Sequence, residues 1–163
     1  MILAAGLGTR LKPFTENHPK ALLPINDKTL LQRNVEFLQL FNVKDVIINV
    51  HHFAAQIKKT VQQNNGWGSN VTISDETDLV LETGGGLKKA GEYLQTSSEP
   101  FVLMNADILT DLNIDIPASL ADKFKSDQDE VISLQGCLAE NTMVNLLTNE
   151  IIFPSSNYKP VKE

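Results

Sequence analysis

Short apolar runs alternate with amphipathic segments along this 163-residue chain. Apolar residues three to four positions apart indicate helices, and short β-branched apolar runs indicate buried strands. A strand–helix–strand order favours βαβ units, and therefore an α/β fold with a mostly parallel central sheet. The predicted strands are Met1–Ala5, Asp45–Val50, Val71–Ser74, Pro100–Met104, Val131–Leu134 and Ile151–Phe153. The predicted helices are Lys28–Phe41 with Asp27 as N-cap, Phe53–Asn65, Glu82–Gln95 and Ala118–Phe124.

Polar or glycine-rich segments follow several of these predicted strands. Ligands of parallel α/β sheets bind outside the carboxyl ends of the strands. The loop that starts at Gly6, the pair His51-His52 and the segment Asn105-Ala106-Asp107 all follow strands. We therefore expect these three segments to meet at one crevice.

The first of these segments has the composition of an anion site. Two glycines, Gly6 and Gly8, are followed by Arg10, and Lys20 comes ten residues later. Glycines allow a ligand to approach backbone N–H groups closely, and a run of such groups forms an anion-binding concavity. Arginine and lysine add a planar fork and a compact point charge. This segment is predicted to hold a polyphosphate beside a second anion.

Other interpretations of the glycine pair remain open at this stage. Gly6-Leu7-Gly8 can be a tight turn and nothing more. A dinucleotide-binding loop needs a third glycine where Leu11 stands, and a P-loop needs Gly-Lys-Ser or Gly-Lys-Thr, which is absent.

Composition restricts the class of protein. The length fits one domain, and 42% hydrophobic with 21% charged residues is ordinary for a globular protein. The net charge of −6 disfavours nucleic acid and anionic membrane as partners, although residues 1–20 are locally basic. No apolar run reaches the length of a membrane span. Because Cys137 is the single cysteine, no internal disulfide is possible, and a cytoplasmic location is expected.

The longer string around the glycines resembles the signature of the sugar-1-phosphate nucleotidyltransferases. It reads Gly6-Leu7-Gly8-Thr9-Arg10, then eight residues, then Pro19-Lys20. The resemblance implies transfer of a nucleotidyl group from a nucleoside triphosphate to a sugar 1-phosphate. It also implies a single domain, a monomer or homodimer, and a Rossmann-like three-layer sandwich known as the nucleotide-diphospho-sugar transferase fold.

The resemblance also assigns roles to residues of this chain. Arg10, Lys20 and Asp107 are the expected catalytic residues, with Lys20 holding the acceptor phosphate and Asp107 binding Mg²⁺. The expected nucleotide-binding residues are Leu3, Ala5, Gly6, Gly8, Thr9, Arg10, His52, Glu82, Thr83, Gly84 and Gly85. From the residues alone, Asp107 could equally cap a turn, and Asp111 could be a solvated turn residue or touch metal-bound water.

The glycine run Gly84-Gly85-Gly86 also has two interpretations. On composition it is either a flexible turn or a helix start that lets the backbone approach a flat base. The form Glu82-Thr83-Gly84-Gly85-Gly86 looks most similar to the N-acetylmuramate-1-phosphate uridylyltransferases, whereas mannose-1-phosphate guanylyltransferases differ here. His52 is expected either to line the nucleotide pocket or to be structural, and a zinc site at His51-His52 is disfavoured because adjacent strand residues face opposite sides.

The resemblance covers residues 1–111 and fades after them. The chain is expected to lack part of the usual C-terminal sugar-binding region, with its second metal-binding aspartate. The alternative to an active enzyme is therefore a catalytically impaired nucleotide-binding fragment or a regulatory subunit of the same fold.

Overall fold

The computed structural model describes residues 1–94, 101–111 and 114, together with the backbone of three short strands further along the chain. The strands are β1 (Ile2–Leu3), β2 (Pro24–Ile25), β3 (Lys28–Thr29), β4 (Asp45–Val50), β5 (Asn70–Asp75), β6 (Met104–Asn105), β7 (Glu130–Ile132), β8 (Met143–Asn145) and β9 (Ile151–Ile152). The α-helices are α1 (Leu30–Leu40), α2 (Ala54–Gln63) and α3 (Glu82–Leu94).

The central sheet has four strands in the order β5-β4-β1-β6, and every adjacent pair is parallel. This confirms the α/β class and the parallel sheet expected from the sequence. The chain builds outward from β1 to β5 and then returns to the other side of β1 with β6. Such a reversal of strand order opens a crevice at the carboxyl end of the first strand.

The alternation of side chains along the strands separates two helical layers. Val46, Ile48 and Val50 of β4 pack in the main core with Leu31 of α1 and Ile57 of α2. The opposite face carries a smaller core, in which Ile47 contacts the layer formed by Leu87 and Ala90 of α3. Helices therefore cover both faces of the sheet, and the three-layer sandwich is confirmed.

Helix α1 begins later than the sequence indicated. Lys28 and Thr29 pair with Pro24 and Ile25 in a small antiparallel hairpin, so they cannot adopt helical geometry. The N-cap is Thr29, whose hydroxyl accepts a hydrogen bond from the Gln32 N–H at 3.1 Å. Asp27 lies in the hairpin turn and binds Arg33, so its assignment as N-cap was wrong.

The remaining elements agree with the predictions to within a few residues. The exception is Pro100–Met104, where the strand is confined to Met104–Asn105. The predicted strands near residues 131 and 151 are present, but they form an antiparallel sheet with β8 rather than extending the parallel one. The predicted helix Ala118–Phe124 lies outside the described residues. Within the described part of the chain, no helix has both the length and the apolar character needed to span a membrane.

Candidate functional site

A cleft of about 390 Å³ lies at the carboxyl end of β1, where the strand order reverses. One wall is the loop of residues 3–11 with Lys20 and Ala21, and residues 105–107 after β6 form a second wall. Val80, Glu82 and Thr83, before and at the start of α3, form a third, with Asn49 at the base. The segments expected to meet after β1 and β6 therefore do so.

Gly8 holds the shape of the first wall. Its φ of +67° lies in the left-handed region, and a Cβ at this position would stand 3.0 Å from Thr15 Cγ2 and 3.3 Å from Lys20 Cβ. The Gly8 carbonyl accepts hydrogen bonds from the buried Thr15 hydroxyl at 2.7 Å and from the Leu11 N–H at 3.0 Å. Backbone conformation and packing both require glycine here.

The backbone of this wall is open toward the cleft. A Cβ added to Gly6 would meet no atom within 4 Å. The part of the chain that the structure describes supplies no acceptor for the N–H groups of Gly6, Leu7 and Gly8. Consecutive N–H groups left open in this way are suited to phosphate oxygens.

The two cations of the cleft differ in their environment. Arg10 lies in a short 3₁₀ turn and its side chain is exposed at the cleft wall. Lys20 follows the fully buried Pro19 and forms an ion pair with Asp107 across the cleft. The Lys20 and Asp107 side chains are 23% and 36% exposed, so both remain accessible to a ligand.

Asp107 is held in place through the backbone that precedes it. The Ala106 N–H donates to the Leu3 carbonyl at 2.9 Å, and the Ala106 carbonyl accepts from Asn34 Nδ2 at 2.8 Å. Asn34 is only 1% exposed and lies among the apolar residues that α1 buries. Sequence reasoning missed Asn34. The available signal was an amide side chain at a position of the helix where the period calls for an apolar one.

Only the first two residues of the segment Glu82–Gly86 belong to the third wall. Glu82, with a φ of +56°, and Thr83 line the cleft, whereas Gly84 and Gly85 lie in the first turn of α3 outside the lining residues. A Cβ on Gly84 would meet no atom within 4 Å, but one on Gly86 would stand 2.6 Å from Glu76 Oε1. Asn49 and Glu76, both buried, were not among the predicted site residues.

The histidine pair does not contribute to the cleft lining. The His52 ring contacts the Phe53 ring with centroids 4.0 Å apart, and His51 Nδ1 lies 2.6 Å from the Glu76 carbonyl oxygen. Among the described residues, no three His, Cys, Asp or Glu side chains are grouped to hold a metal ion. Asp111 is exposed and lies outside the cleft lining.

The order of strands, the open glycine loop and the opposed Lys20 and Asp107 are features of a nucleotide-processing α/β protein. The model of the nucleotidyl transferase family matches residues 1–141. The chain belongs to this family, and the resemblance drawn from the signature is confirmed.

Individual proteins of known name also resemble this chain. The chain is 32% identical over 160 residues to N-acetylmuramate alpha-1-phosphate uridylyltransferase of Neisseria meningitidis, covering 98% of this chain and 67% of that protein. It is 40% identical over 92 residues to the protein of the same name from Caulobacter vibrioides, covering 55% and 38%. The structure of HddC from Yersinia pseudotuberculosis complexed with GMP-PN matches with a TM-score of 0.63 and 32% identity, covering 79% and 53%. The matched part thus spans between 38% and 67% of these three proteins.

Proposed function

We propose that this chain transfers a nucleotidyl group from a nucleoside triphosphate to a sugar 1-phosphate and releases pyrophosphate. The observation that carries the proposal is the meeting of Arg10, Lys20 and Asp107 with the open backbone of Gly6–Gly8 in one cleft. Membership of the nucleotidyl transferase family supports the same reaction class.

In this mechanism the loop after β1 receives the triphosphate. The open N–H groups of the loop bind phosphate oxygens, and Arg10 neutralises the negative charge that develops on the pyrophosphate leaving group. Lys20, released from Asp107, holds the attacking sugar phosphate near the α-phosphorus. No general base is required, because a phosphate monoester is already ionised at neutral pH. The protein therefore accelerates the reaction through positioning and electrostatics.

Mg²⁺ is the cofactor that we propose, with Asp107 as its ligand. The donor set fits this ion, because Mg²⁺ is commonly held by one or two carboxylates together with substrate phosphates and waters. Asp107 is an accessible carboxylate beside the open backbone of Gly6–Gly8 and meets that description, and no protein-only cage is required. When bound, the ion would neutralise charge on the phosphates.

We favour uridylyl transfer to N-acetylmuramate 1-phosphate among the possible reactions. Two observations support it: the Glu82-Thr83-Gly84-Gly85-Gly86 segment and the name shared by both relatives described above. Guanylyl or thymidylyl transfer to a hexose 1-phosphate is the second candidate, and the GMP-PN in the matched structure favours the guanine nucleotide within it.

A substrate panel tests the proposal. The 163-residue chain is incubated with each nucleoside triphosphate, each sugar 1-phosphate and Mg²⁺, and pyrophosphate is measured. We expect release only when both substrates are present, with UTP and N-acetylmuramate 1-phosphate as the best pair. Triphosphate binding without pyrophosphate release from any pair would instead support the nucleotide-binding alternative without turnover.

A further inference from the structure

Three polar side chains lie buried beneath the start of α3. Asn49 at the end of β4, Ser74 on β5 and Glu76 just after it are 2%, 1% and 2% exposed. Asn49 and Ser74 are register partners in the sheet, and the rest of this face packs apolar residues of α3 such as Leu87. Burying polar groups is costly unless they form hydrogen bonds, so their contacts are informative.

Two hydrogen bonds link Glu76 to the wall that binds phosphate in the proposed function. Glu76 Oε1 accepts from Asn49 Nδ2 at 2.9 Å, and Asn49 Oδ1 accepts from the Ala4 N–H at 2.7 Å. Ala4 directly follows β1 and lies two residues before Gly6. The Asn49 amide therefore anchors the residue at which the loop leaves the sheet.

The same carboxyl group determines how closely α3 approaches the sheet. A Cβ on Gly86 would stand 2.6 Å from Glu76 Oε1 and 2.9 Å from Asn49 Nδ2, so only glycine allows the observed distance. One helical turn earlier, Glu82 and Thr83 line the cleft. Glu76 thus contacts elements that lead to two walls of the cleft.

The backbone of Glu76 is fixed on both sides. Its N–H donates to the Val50 carbonyl at 2.7 Å, and its carbonyl accepts from the Leu79 N–H at 3.2 Å, with His51 Nδ1 2.6 Å away. The preceding residue, Asp75, is also held in place: hydrogen bonds from Lys58 and Thr77 keep the pKa of its carboxyl well below the usual range. Glu76 Oε2 has no partner among the described residues, so the group is not explained by complete internal hydrogen bonding.

We propose that Glu76 is a positioning residue for nucleotidyl transfer. It holds Asn49 in the orientation that fixes Ala4, and it sets the distance of α3, so that the loop after β1 and the start of α3 keep a constant separation. This role rests on the proposed function, since the separation matters because a nucleoside triphosphate has to contact both walls. Glu76 acts through Asn49 and Gly86 and does not contact substrate.

A hydrogen-bond swap tests the proposal. Glu76→Gln keeps an Oε1 acceptor for Asn49, whereas Glu76→Ala removes it, and Asn49→Asp places two carboxyl groups against each other. In the double variant Asn49→Asp/Glu76→Gln, Asp still accepts from Ala4 while Gln donates to Asp, so both links are restored. Ser74→Ala is the matched control, because Ser74 is equally buried on the same face and its hydroxyl has no partner among the described residues.

Two readouts are measured for each variant: kcat/KM for the triphosphate, and hydrogen exchange at the Ala4 amide. We expect Glu76→Ala and Asn49→Asp to lower kcat/KM and to speed Ala4 exchange, each about tenfold, as for a lost buried hydrogen bond. Glu76→Gln should stay within about threefold of the unmodified chain in both readouts and Ser74→Ala within about twofold, since both keep the links. The double variant should recover Ala4 protection to within about threefold, and this readout decides the swap because Asn49 lines the cleft and its replacement can alter the rate directly.

The proposal is overturned if Ala4 exchanges as fast in the double variant as in Asn49→Asp, because restoring both hydrogen bonds would then not restore the loop. An equal loss in Ser74→Ala also overturns it, because burial alone would then explain the effect. If the unmodified chain shows no pyrophosphate release, the proposed function fails. Ala4 exchange still decides whether Glu76 positions the loop, because that readout does not depend on turnover.

Discussion

The loop after β1 and the start of α3 both contain glycine runs, but the structure uses their glycines differently. In the loop, Gly6 and Gly8 line the cleft, one with open space at its α-carbon and the other in a left-handed conformation. In α3, Gly84 and Gly85 lie outside the cleft lining, and Gly86 accommodates the buried Glu76. Similar glycine composition thus leaves the backbone open at the cleft in one place and allows close helix packing in the other.

The two segments also differ in the charge that they bring to the cleft. The wall formed by the loop and Lys20 contributes two cations, Arg10 and Lys20, to the cleft, whereas the start of α3 contributes the acidic Glu82 and the neutral Thr83. We infer that the loop carries the phosphate chemistry and that α3 contributes shape. Substitution of the cleft cations should therefore change turnover, whereas substitution of the glycines in α3 should change stability.

The largest effect is expected from the two cations of the cleft wall, Arg10 and Lys20. Arg10→Ala and Lys20→Ala should each lower pyrophosphate release by about a hundredfold or more, because each removes a preorganised charge from the transition state. The denaturation midpoint should hardly change, since both side chains are partly exposed. Lys59→Ala, an exposed position on α2, is the control. Full activity in either cleft variant would contradict the assignment.

The next largest effect is expected from Gly8→Ala, which should lower the free energy of unfolding. The left-handed φ and the 3.0 Å contact with Thr15 should together cost about 1–3 kcal/mol in the free energy of unfolding. Gly6→Ala is the matched variant: its Cβ would meet open space, so stability should be kept while triphosphate affinity falls. Urea denaturation and calorimetric titration measure the two quantities. Equal destabilisation by both substitutions would remove the distinction between them.

Gly86→Ala and Gly84→Ala should change stability in opposite directions. A Cβ on Gly86 collides with Glu76 and Asn49, and such overpacking costs about 1–3 kcal/mol. A Cβ on Gly84 is free of contacts, and replacing glycine by alanine in a helix stabilises by about 0.5–1 kcal/mol. Paired denaturation curves measure the difference. If both substitutions changed the free energy of unfolding in the same direction, the proposed difference in packing between Gly84 and Gly86 would be wrong.

The smallest expected effect concerns the ion pair across the cleft. In the absence of nucleotide, Lys20→Met should strengthen Mg²⁺ or Mn²⁺ binding by about threefold. The reason is that the metal ion no longer has to displace the Lys20 ammonium group from Asp107. The factor is modest because both side chains are partly exposed to solvent. Titration of the metal by calorimetry measures it. Weaker binding in the variant would mean that Lys20 does not compete for Asp107.

The parts of the fold and site that the sequence predicted depend on local patterns. The strand–helix alternation predicted the parallel sheet, and the spacing of Gly6, Gly8, Arg10 and Lys20 predicted the family, which the family match confirms. That Arg10, Lys20 and Asp107 act in catalysis stays a prediction, although the structure brings them to one cleft.

The parts that sequence reasoning missed depend on contacts between residues far apart in the chain. Asn34 binds Ala106, 72 positions away, and Asn49 binds Ala4, 45 positions away. The periodic pattern of apolar residues within a helix or strand carries no information about such distant pairs. The late start of α1 has a different, local origin: pairing of Lys28 with Ile25 in the hairpin overrode the capping preference of Asp27.

The fate of the α-phosphate tests the central claim most directly. UTP labelled at the α-phosphate is incubated with N-acetylmuramate 1-phosphate, Mg²⁺ and either the unmodified chain or Lys20→Ala. We predict that the label enters a nucleotide-sugar product in equal amount to the pyrophosphate released, and that Lys20→Ala abolishes both. Label that remains in UTP, or that appears as free nucleotide without entering a sugar product, would contradict nucleotidyl transfer at this cleft.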